Sequence, residues 1–178
     1  MSDITTGTWQ LDPTHTEVGF TVRHIMSKVR GKFETFEGTL VTADDITAST
    51  VNVSVELASI NTGTADRDNH LRSGDFFNVE TNPTMTFAST GVVQKSDSDF
   101  VVTGDLTIKD ITKPFELNVE FLGEGKDPWG GTRVGVEATG QISRKDWGID
   151  FNIPLEGDKV MIGDKITITI NAEAVLQA

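Results

Sequence analysis

Apolar and polar residues alternate along residues 16–25, whose sequence is TEVGFTVRHI. One face of this segment, if it is extended, carries an inward row formed by Val18, Phe20, Val22 and His24. The residues between them are charged, polar or small, and a period of two indicates a β-strand with one buried face. Because the inward row ends in an imidazole, this strand is also the first candidate for part of a binding site.

Seven later segments repeat the alternation, at residues 33–42, 51–57, 85–87, 100–108, 113–121, 134–142 and 166–174. Strands with one polar face are typical of an antiparallel sheet that covers a core on one side. A flat sheet of eight strands would leave unpaired backbone groups on its two outer strands, and closure removes them. The pattern therefore predicts an all-β fold, an eight-stranded antiparallel barrel, with a β-sandwich as the alternative.

A short helix is predicted at residues 64–73, between the third and fourth strands. Thr64 is suited to its N-cap, Asp66 and Asp68 to its first turn, and Gly74 to its end. Together with the phenylalanine pair that follows it, this helix is expected to close one end of the barrel.

Small residues occupy several inward positions of the predicted strands. They either accommodate large neighbouring side chains or leave a cavity, and the sequence leaves both alternatives open. These positions are Gly38, Gly104, Ala138, Gly140, Ala172 and Ala174.

Length and composition exclude several classes of protein. The 178 residues suit a single domain over residues 1–178, and the net charge of −12 is opposite in sign to that of a general nucleic-acid-binding protein. The absence of cysteine excludes disulfides and thiolate metal sites. No apolar run is long enough to span a membrane, and the N-terminal residues lack the pattern of a signal peptide, so we expect a cytoplasmic location.

Three blocks of residues resemble the signature of the YceI-like proteins, and together they extend over nearly the whole chain. They comprise Trp9, Asp12, His15, Val18, Phe20, Val22, His24, Gly31, Phe33, Phe36 and Gly38, then ADRDNHL at 65–71, DFF at 75–77 and PTMTF at 83–87, then Ser143, Arg144, Asp146, Trp147, Gly148, Gly163, Asp164 and the segment 166–174. The resemblance implies an extended, lipocalin-like barrel. It also implies that a long amphiphile, such as a polyisoprenoid or an isoprenoid quinone, binds in the apolar bore. The family has no agreed catalytic motif, so no catalytic residue is implied.

Apolar residues on the inward rows and beside the helix are candidates for the wall of this bore, although the core of any barrel needs such residues. The predicted apolar contacts of the ligand are Phe20, Val22, Phe36, Phe76, Phe87, Phe100 and Phe121. Trp129 and Trp147 lie near predicted loops and are expected to plug the ends of the barrel.

Polar candidates cluster near one predicted end. His24 is able to donate a hydrogen bond to a phosphate or a quinone carbonyl, or is simply a core histidine bonded to the backbone. Residues 21–32 contain four cations and no acid, and residues 26–32 are predicted to form a turn or a single helical turn. Arg23 in this segment suits an anionic head group, although an exposed basic turn is the alternative. Arg67 and His70 add donors if the helix folds over the same opening.

Two acidic residues of the helix, Asp66 and Asp68, are expected to pair with its arginines. The histidines at positions 15, 24 and 70 do not have the spacing of a zinc site. The sequence contains no nucleophile elbow, phosphate-binding loop or dinucleotide fingerprint. We therefore predict no catalytic residue, no metal and no cofactor other than the lipid itself.

The leading hypothesis is a non-enzymatic barrel that carries, stores or sequesters a long-chain isoprenoid lipid, with a homodimer left open. One alternative is a small enzyme that acts on an apolar substrate in the barrel, with His24 or an acid as base. The other is an interaction scaffold whose barrel is filled by its own side chains.

Overall fold

The computed structural model describes residues 4–153 and 161–178. Within these ranges all strands belong to one sheet, and every pairing is antiparallel. The strands are β1 Gly7–Leu11, β2 Glu17–His24, β3 Ser27–Phe33, β4 Phe36–Thr42, β5 Thr50–Glu56, β6 Ile60–Asn61, β7 Thr84–Gln94, β8 Asp99–Ile108, β9 Ile111–Lys126, β10 Thr132–Ser143 and β11 Ile162–Leu176. One α-helix, α1 at Ala65–Arg72, and four 3-10 turns, at Pro13–His15, Ile46–Ala48, Leu57–Ser59 and Arg144–Trp147, complete the described secondary structure.

The sheet closes on itself because β1 pairs with a neighbour on each side. Its residues pair with β4 on one side and with the end of β11 on the other, where Trp9 faces Leu176. The closed ring therefore contains eight strands in the order β1, β4, β5, β7, β8, β9, β10 and β11. The remaining strands extend this ring at one end, where β11 pairs with β2, β2 with β3, and β3 with β6. The predicted all-β, eight-stranded antiparallel barrel with one short helix is confirmed.

The predicted position of the helix between the third and fourth strands is corrected, because α1 follows the sixth strand of the structure. Short turns divide the long strands of the barrel and raise the strand count. Pro13, which has no backbone N–H, begins the 3-10 turn between β1 and β2. A second 3-10 turn at Leu57–Ser59 separates β5 from β6.

The segment at residues 26–32, predicted to be a turn, is mostly β3. Only Ile25 and Met26 lie between the paired residues at the ends of β2 and β3. Along β3 the alternation of exposed cations with half-buried Val29 and Gly31 has a period of two. Because the segment is rich in positive charge, its sequence suggested an exposed turn, although it forms a short amphipathic strand.

Helix α1 has Thr64 at its N-cap and Ser73 at its C-cap, within a residue of the predicted limits. The Thr64 side chain makes no capping hydrogen bond. Instead, the buried carboxylate of Asp68 turns back to Thr62, whose amide and hydroxyl donate to Asp68 Oδ1 over 2.8 and 2.6 Å. These bonds fix the segment that connects β6 to α1.

We call the end of the barrel that carries α1 the helix end, and the end at which β1 begins the far end. Trp147 closes part of the helix end, since it is 3% exposed and its indole N–H donates to the Leu106 carbonyl over 2.9 Å. Trp129, in the loop between β9 and β10 at the far end, is 79% exposed, so its predicted role as a plug is wrong.

Inward glycines let phenylalanine rings lie against the sheet. A Cβ atom on Gly104 would lie 2.5 Å from the ring of Phe87, and one on Gly140 would lie 2.6 Å from the ring of Phe115. The two rings meet edge to face, with centroids 6.1 Å apart. At Gly104 and Gly140, therefore, the small inward residues accommodate large neighbouring side chains and do not leave a cavity.

Candidate functional site

Two cavities lie inside the barrel, one behind the other along its axis. The mouth cavity, at the helix end, has a volume of about 180 Å³, and the inner cavity, toward the far end, has a volume of about 210 Å³. Val18, Met85 and Ile168 contribute to the walls of both. The described residues therefore enclose space along much of the bore.

The wall of the inner cavity is almost entirely apolar. It includes three of the predicted ligand contacts, Phe87, Phe100 and Phe121, and no charged residue among those described. The hydroxyls of Thr42 and Ser49 at its wall bond to the protein backbone. Ala138, Ala172 and Ala174 line this cavity, so at these three positions the small inward residues leave space inside the barrel. Such a wall favours hydrocarbon over any polar solute.

The mouth cavity combines an apolar wall with a group of cationic and titratable side chains. Phe20, Val22 and Phe76 contribute apolar surface to it, as predicted from their rows and position. Its polar members are Thr62 and the four residues His24, Arg67, His70 and Arg144. The polar groups are thus gathered at the helix end of the bore, which is a suitable arrangement for an amphiphile.

His24 lies at the end of β2, where the row of inward side chains reaches the opening. It faces Ile162 of β11 in the sheet and is half-buried. Within the described part of the chain its imidazole makes no hydrogen bond to protein, so both ring nitrogens are open to a ligand in the mouth cavity.

Arg67 is fixed by the segment that precedes α1. Its Nε donates to the Thr62 hydroxyl and one terminal nitrogen donates to the Thr62 carbonyl, each over 2.7 Å. The predicted pairing of Asp66 and Asp68 with the helix arginines is wrong, because Arg67 bonds to Thr62 and Asp68 does so as well. The other terminal nitrogen of Arg67 has no acceptor among the described residues.

His70 stands at the rim of the mouth cavity. Its Nε2 lies 2.8 Å from Asp75 Oδ2, and its ring meets the rings of Phe76 and Phe151 edge to face with centroids 5.0 and 4.9 Å away. These contacts hold Phe76, one residue of the predicted phenylalanine pair, at the wall of the mouth cavity.

Arg144 is a cavity residue that sequence reasoning missed. It is 3% exposed, and its guanidinium donates to the carbonyls of Gly163, Ile149 and Phe151 over 2.9 to 3.0 Å. Burial lowers the pKa of Arg144, and the charges of Asp164 and Asp150 act in the opposite direction. The nearest carboxylate oxygen, Asp164 Oδ1, is 3.7 Å away, too far for a hydrogen bond.

The signal for Arg144 was present in the alternation. The inward row of β10 runs through the even-numbered residues 134–142, and residue 144 continues it beyond the end of the strand. The same argument identified His24 at the end of β2. Extending every inward row past its last apolar member would have found both residues.

Two of the predicted ligand contacts are not brought to either cavity. Arg23 is exposed on the outer face of β2, because the period of two that turns His24 inward turns its neighbour outward. Phe36 is half-buried and packs against a cluster that includes Phe33 and Leu57. The ligand contacts predicted for these two residues therefore have no support in the geometry.

A group of ionisable residues on the outside of the barrel joins the turn before β2 to β10 and β11. Ligand atoms of Asp12, His15 and Glu173 lie within 4.8 Å of one another. Arg133 lies among them, with its guanidinium 2.7 Å from Asp12 and 2.8 Å from Asp127. A guanidinium already pairs with the three carboxylates Asp12, Asp127 and Glu173, so we interpret the group as an ion-pair network and not as a metal site.

This network makes stability depend on pH. Hydrogen bonds from Arg133, then His15 and Thr14, hold the pKa of the Asp12 carboxyl well below its usual range. A depressed folded-state pKa stabilises the fold above the unfolded pKa of about 4 and loses that contribution as the pH falls. Urea unfolding should show Arg133→Met less stable than wild type at neutral pH, with the difference shrinking below about pH 4.

The control for this prediction is Arg30→Met, which removes an exposed cation that has no carboxylate within 4.0 Å among the described residues. This variant should follow the wild-type pH profile. A constant difference between Arg133→Met and wild type across the acid range would contradict the prediction.

The sequence profile described as YceI-like domain matches residues 9–174 of the chain. The chain belongs to the YceI-like family. A UPF0312 protein of Photorhabdus laumondii is 47% identical over 135 residues, which cover 75% of this chain and 70% of that relative. The predicted family resemblance is confirmed.

Solved structures support the same fold. The YceI protein of Campylobacter jejuni is 30% identical, covers 100% of both chains and superimposes with a TM-score of 0.74. A polyisoprenoid binding domain from Saccharophagus degradans, implicated in plant cell wall breakdown, is 16% identical and has a TM-score of 0.70, covering 95% of this chain and 98% of its own. Within the described ranges, none of the helices of this YceI-like chain has the length and apolar character needed to cross a bilayer.

Proposed function

We propose that this YceI-like barrel binds one long-chain amphiphile, a polyisoprenoid or an isoprenoid quinone, with its tail in the inner cavity and its head in the mouth cavity. The observation that carries the proposal is the separation of polar groups along the bore. Charged and titratable side chains contribute to the wall at the helix end, and the wall beyond them is apolar. The description of the Saccharophagus degradans relative as a polyisoprenoid binding domain supports the same class of ligand.

The tail supplies most of the binding free energy in this proposal. Each methylene that leaves water contributes about 0.8 kcal/mol, so affinity should rise with each isoprene unit until the bore is full. The head group supplies orientation. Arg67 and His24 provide N–H donors at the mouth cavity and Arg144 adds a positive charge, and phosphate oxygens and quinone carbonyls both accept hydrogen bonds from such donors.

This arrangement favours a binding protein over an enzyme. His70 is engaged with Asp75 at the rim, and the other polar groups of the mouth cavity are arranged around an opening and not around a nucleophile and its base. A barrel filled throughout by its own side chains does not fit the two cavities. We propose carriage, storage or sequestration of the lipid as the role that such a binding protein performs.

The test is native mass spectrometry of the purified protein, combined with organic extraction and identification of the extract. We expect an isoprenoid lipid at a stoichiometry near one, and uptake of added prenyl quinones whose affinity increases with chain length. His24→Leu should weaken retention of lipids with a polar head and leave retention of the bare hydrocarbon unchanged, whereas Arg23→Met, on the outer face, should change neither. Recovery of no lipid, together with no uptake of added prenyl quinones, would remove the proposal.

A further inference from the structure

An exposed apolar group surrounds the opening of the mouth cavity. Met26, in the turn between β2 and β3, is 91% exposed, and its neighbour Ile25 is 48% exposed. The Ile25 amide donates to the Met161 carbonyl over 2.7 Å, and the Met161 amide donates to the Ile153 carbonyl over 3.1 Å. Ile153 is 44% exposed and Met161 contributes to the cavity wall, so these bonds bring the exposed residues to the rim of the site.

The turn holds its first residue in an unfavourable conformation. Ile25 has φ of 57°, the left-handed region that a β-branched residue rarely adopts. The turn between β8 and β9, at the same end of the barrel, also needs positive φ and uses Lys109 and Asp110 with φ of 54° and 62°. Polar residues occupy the positive φ positions of that turn, whereas in the β2–β3 turn an apolar, β-branched side chain takes positive φ beside an exposed methionine.

Cations cover the outer face of the same hairpin. Arg23 of β2 lies directly opposite Lys28 of β3, and Arg30 and Lys32 follow on the same outward row of β3. Like charges that face each other across a strand pair are unfavourable for folding. Among the described residues no carboxylate lies within 4.0 Å of these four side chains, although the chain as a whole carries a net charge of −12.

The far end offers a comparison within the same molecule. Trp129 and Leu122 are 79% and 57% exposed there. The ionisable groups beside them include Glu124 and Asp127, and Arg133 is already paired with Asp127 and Asp12. Exposed apolar residues occur at both ends, but within the described ranges the helix end sets four cations without a carboxylate within 4.0 Å beside them, whereas at the far end Lys126 is such a cation and donates to the Thr132 hydroxyl.

We infer that the tip formed by the β2–β3 hairpin, with Ile25 and Met26 at its turn and Arg23 and Lys28 on its flank, docks the mouth of the barrel on an anionic phospholipid bilayer. Apolar side chains backed by basic ones match the two layers of such a surface, since acyl chains lie below a layer of negative head groups. Docking brings the opening to the bilayer, so that a lipid tail moves between membrane and bore with little exposure to water. The purpose of the docking rests on the proposed lipid binding, whereas the docking itself does not.

Flotation with vesicles tests the inference directly. The protein should bind phosphatidylcholine vesicles that contain about 30 mol% phosphatidylglycerol more tightly than vesicles of phosphatidylcholine alone, and salt should weaken this binding. Met26→Asp should reduce partition about tenfold, because it removes the insertion of one large apolar side chain. Arg23→Gln with Lys28→Gln should reduce partition onto the anionic vesicles roughly 30-fold and leave partition onto neutral ones unchanged.

Two control variants match these changes elsewhere on the surface. Trp129→Ser removes the exposed apolar residue of the far end, and Lys95→Gln with Lys126→Gln removes two exposed cations from the hairpins of that same far end. Both should bind vesicles as the wild type does. An effect of these controls equal to that of the tip variants would show that net charge or general hydrophobicity governs binding, and would overturn the inference.

Ile25→Asn separates docking from a structural role. Asparagine tolerates positive φ, so this variant should raise the melting temperature by about 2–4 °C while reducing vesicle partition several-fold. If the turn served the fold alone, stability would change and partition would not, and that result would overturn the inference.

Failure of docking and failure of lipid binding are distinguishable. Mass spectrometry of Met26→Asp should show the same bound lipid as the wild type, since the substitution lies outside both cavities. A wild-type protein that floats with vesicles but carries and takes up no lipid would remove the proposed function and leave the docking intact. A protein that holds lipid but binds no vesicle composition would overturn the docking, and a protein receptor at this tip would then be the remaining partner.

Discussion

Ala138→Phe is expected to reduce the long-chain lipid retained by the purified protein by at least about tenfold, because exclusion of two methylenes from the bore already corresponds to that factor. Ala138 is 5% exposed and lines the inner cavity of about 210 Å³. A benzyl group at this position occupies space that the proposal assigns to the tail. Short-chain prenyl quinones, whose tails end within the mouth cavity, should still bind.

The same substitution on the outside of the barrel provides the control. Ala88 of β7 is exposed, so Ala88→Phe adds an equal side chain without entering the bore. Lipid retention by this variant should equal that of the wild type. Thermal unfolding should show that Ala138→Phe remains folded, because the added ring enters space that is otherwise empty. Unchanged retention of long chains by a folded Ala138→Phe would show that the tail does not occupy the inner cavity.

Arg144→Met should lower the free energy of unfolding by about 3 kcal/mol or more, because it leaves buried carbonyls without donors. Three carbonyls, those of Gly163, Ile149 and Phe151, accept hydrogen bonds from this one guanidinium. Ile149 and Phe151 follow the 3-10 turn after β10 and Gly163 belongs to β11, so one side chain joins the end of β10 to the start of β11. Urea unfolding at neutral pH measures the effect.

Lysine and a neighbouring cation provide the comparisons for Arg144. Arg144→Lys keeps the charge and three N–H donors, but they all radiate from one nitrogen and cannot reproduce the planar, spread-out guanidinium, so this variant should recover only part of the loss. Lys145, whose amine lies 3.4 Å from Asp164, is 54% exposed, and Lys145→Met should change stability by less than about 0.5 kcal/mol. Equal stability of Arg144→Met and wild type would contradict the role of Arg144 in joining these segments.

The closed barrel follows from the sequence because burial imposes the period of two on every long strand. The pattern also indicates which charged residues face inward, and it identified His24 correctly. It does not reveal where a strand breaks. The turns at Pro13–His15 and Leu57–Ser59 keep the general direction of the chain, so the strands on either side of each turn form one side of the barrel and the sequence suggests fewer strands than the structure contains. The inward row changes from odd to even positions at each turn, for example from Leu11 to Val18.

Whether the bore is empty or filled depends on volumes that a one-dimensional pattern does not contain. Gly104 and Ala138 are both small inward residues, yet the first receives the ring of Phe87 and the second faces a cavity. The difference arises from the neighbours across the barrel, which the sequence does not place. The partners of Arg67 were mispredicted for a similar reason, since Thr62 lies outside the helix whose charges were being paired.

The pairing of β1 with both β4 and β11 also removes the free edges of the eight-stranded ring, to which a second molecule could otherwise add a strand. Long strands with unpaired sides act as templates for aggregation, and a closed ring of the described strands presents no such side. The sheet order ends at the two residues of β6, where Arg72 of α1 donates to the carbonyl of Ile60 over 3.2 Å and to that of Ala58 over 2.8 Å. That protection applies where the ring strands pair on both sides, whereas residues 27–31 of β3 pair with β2 alone among the described strands.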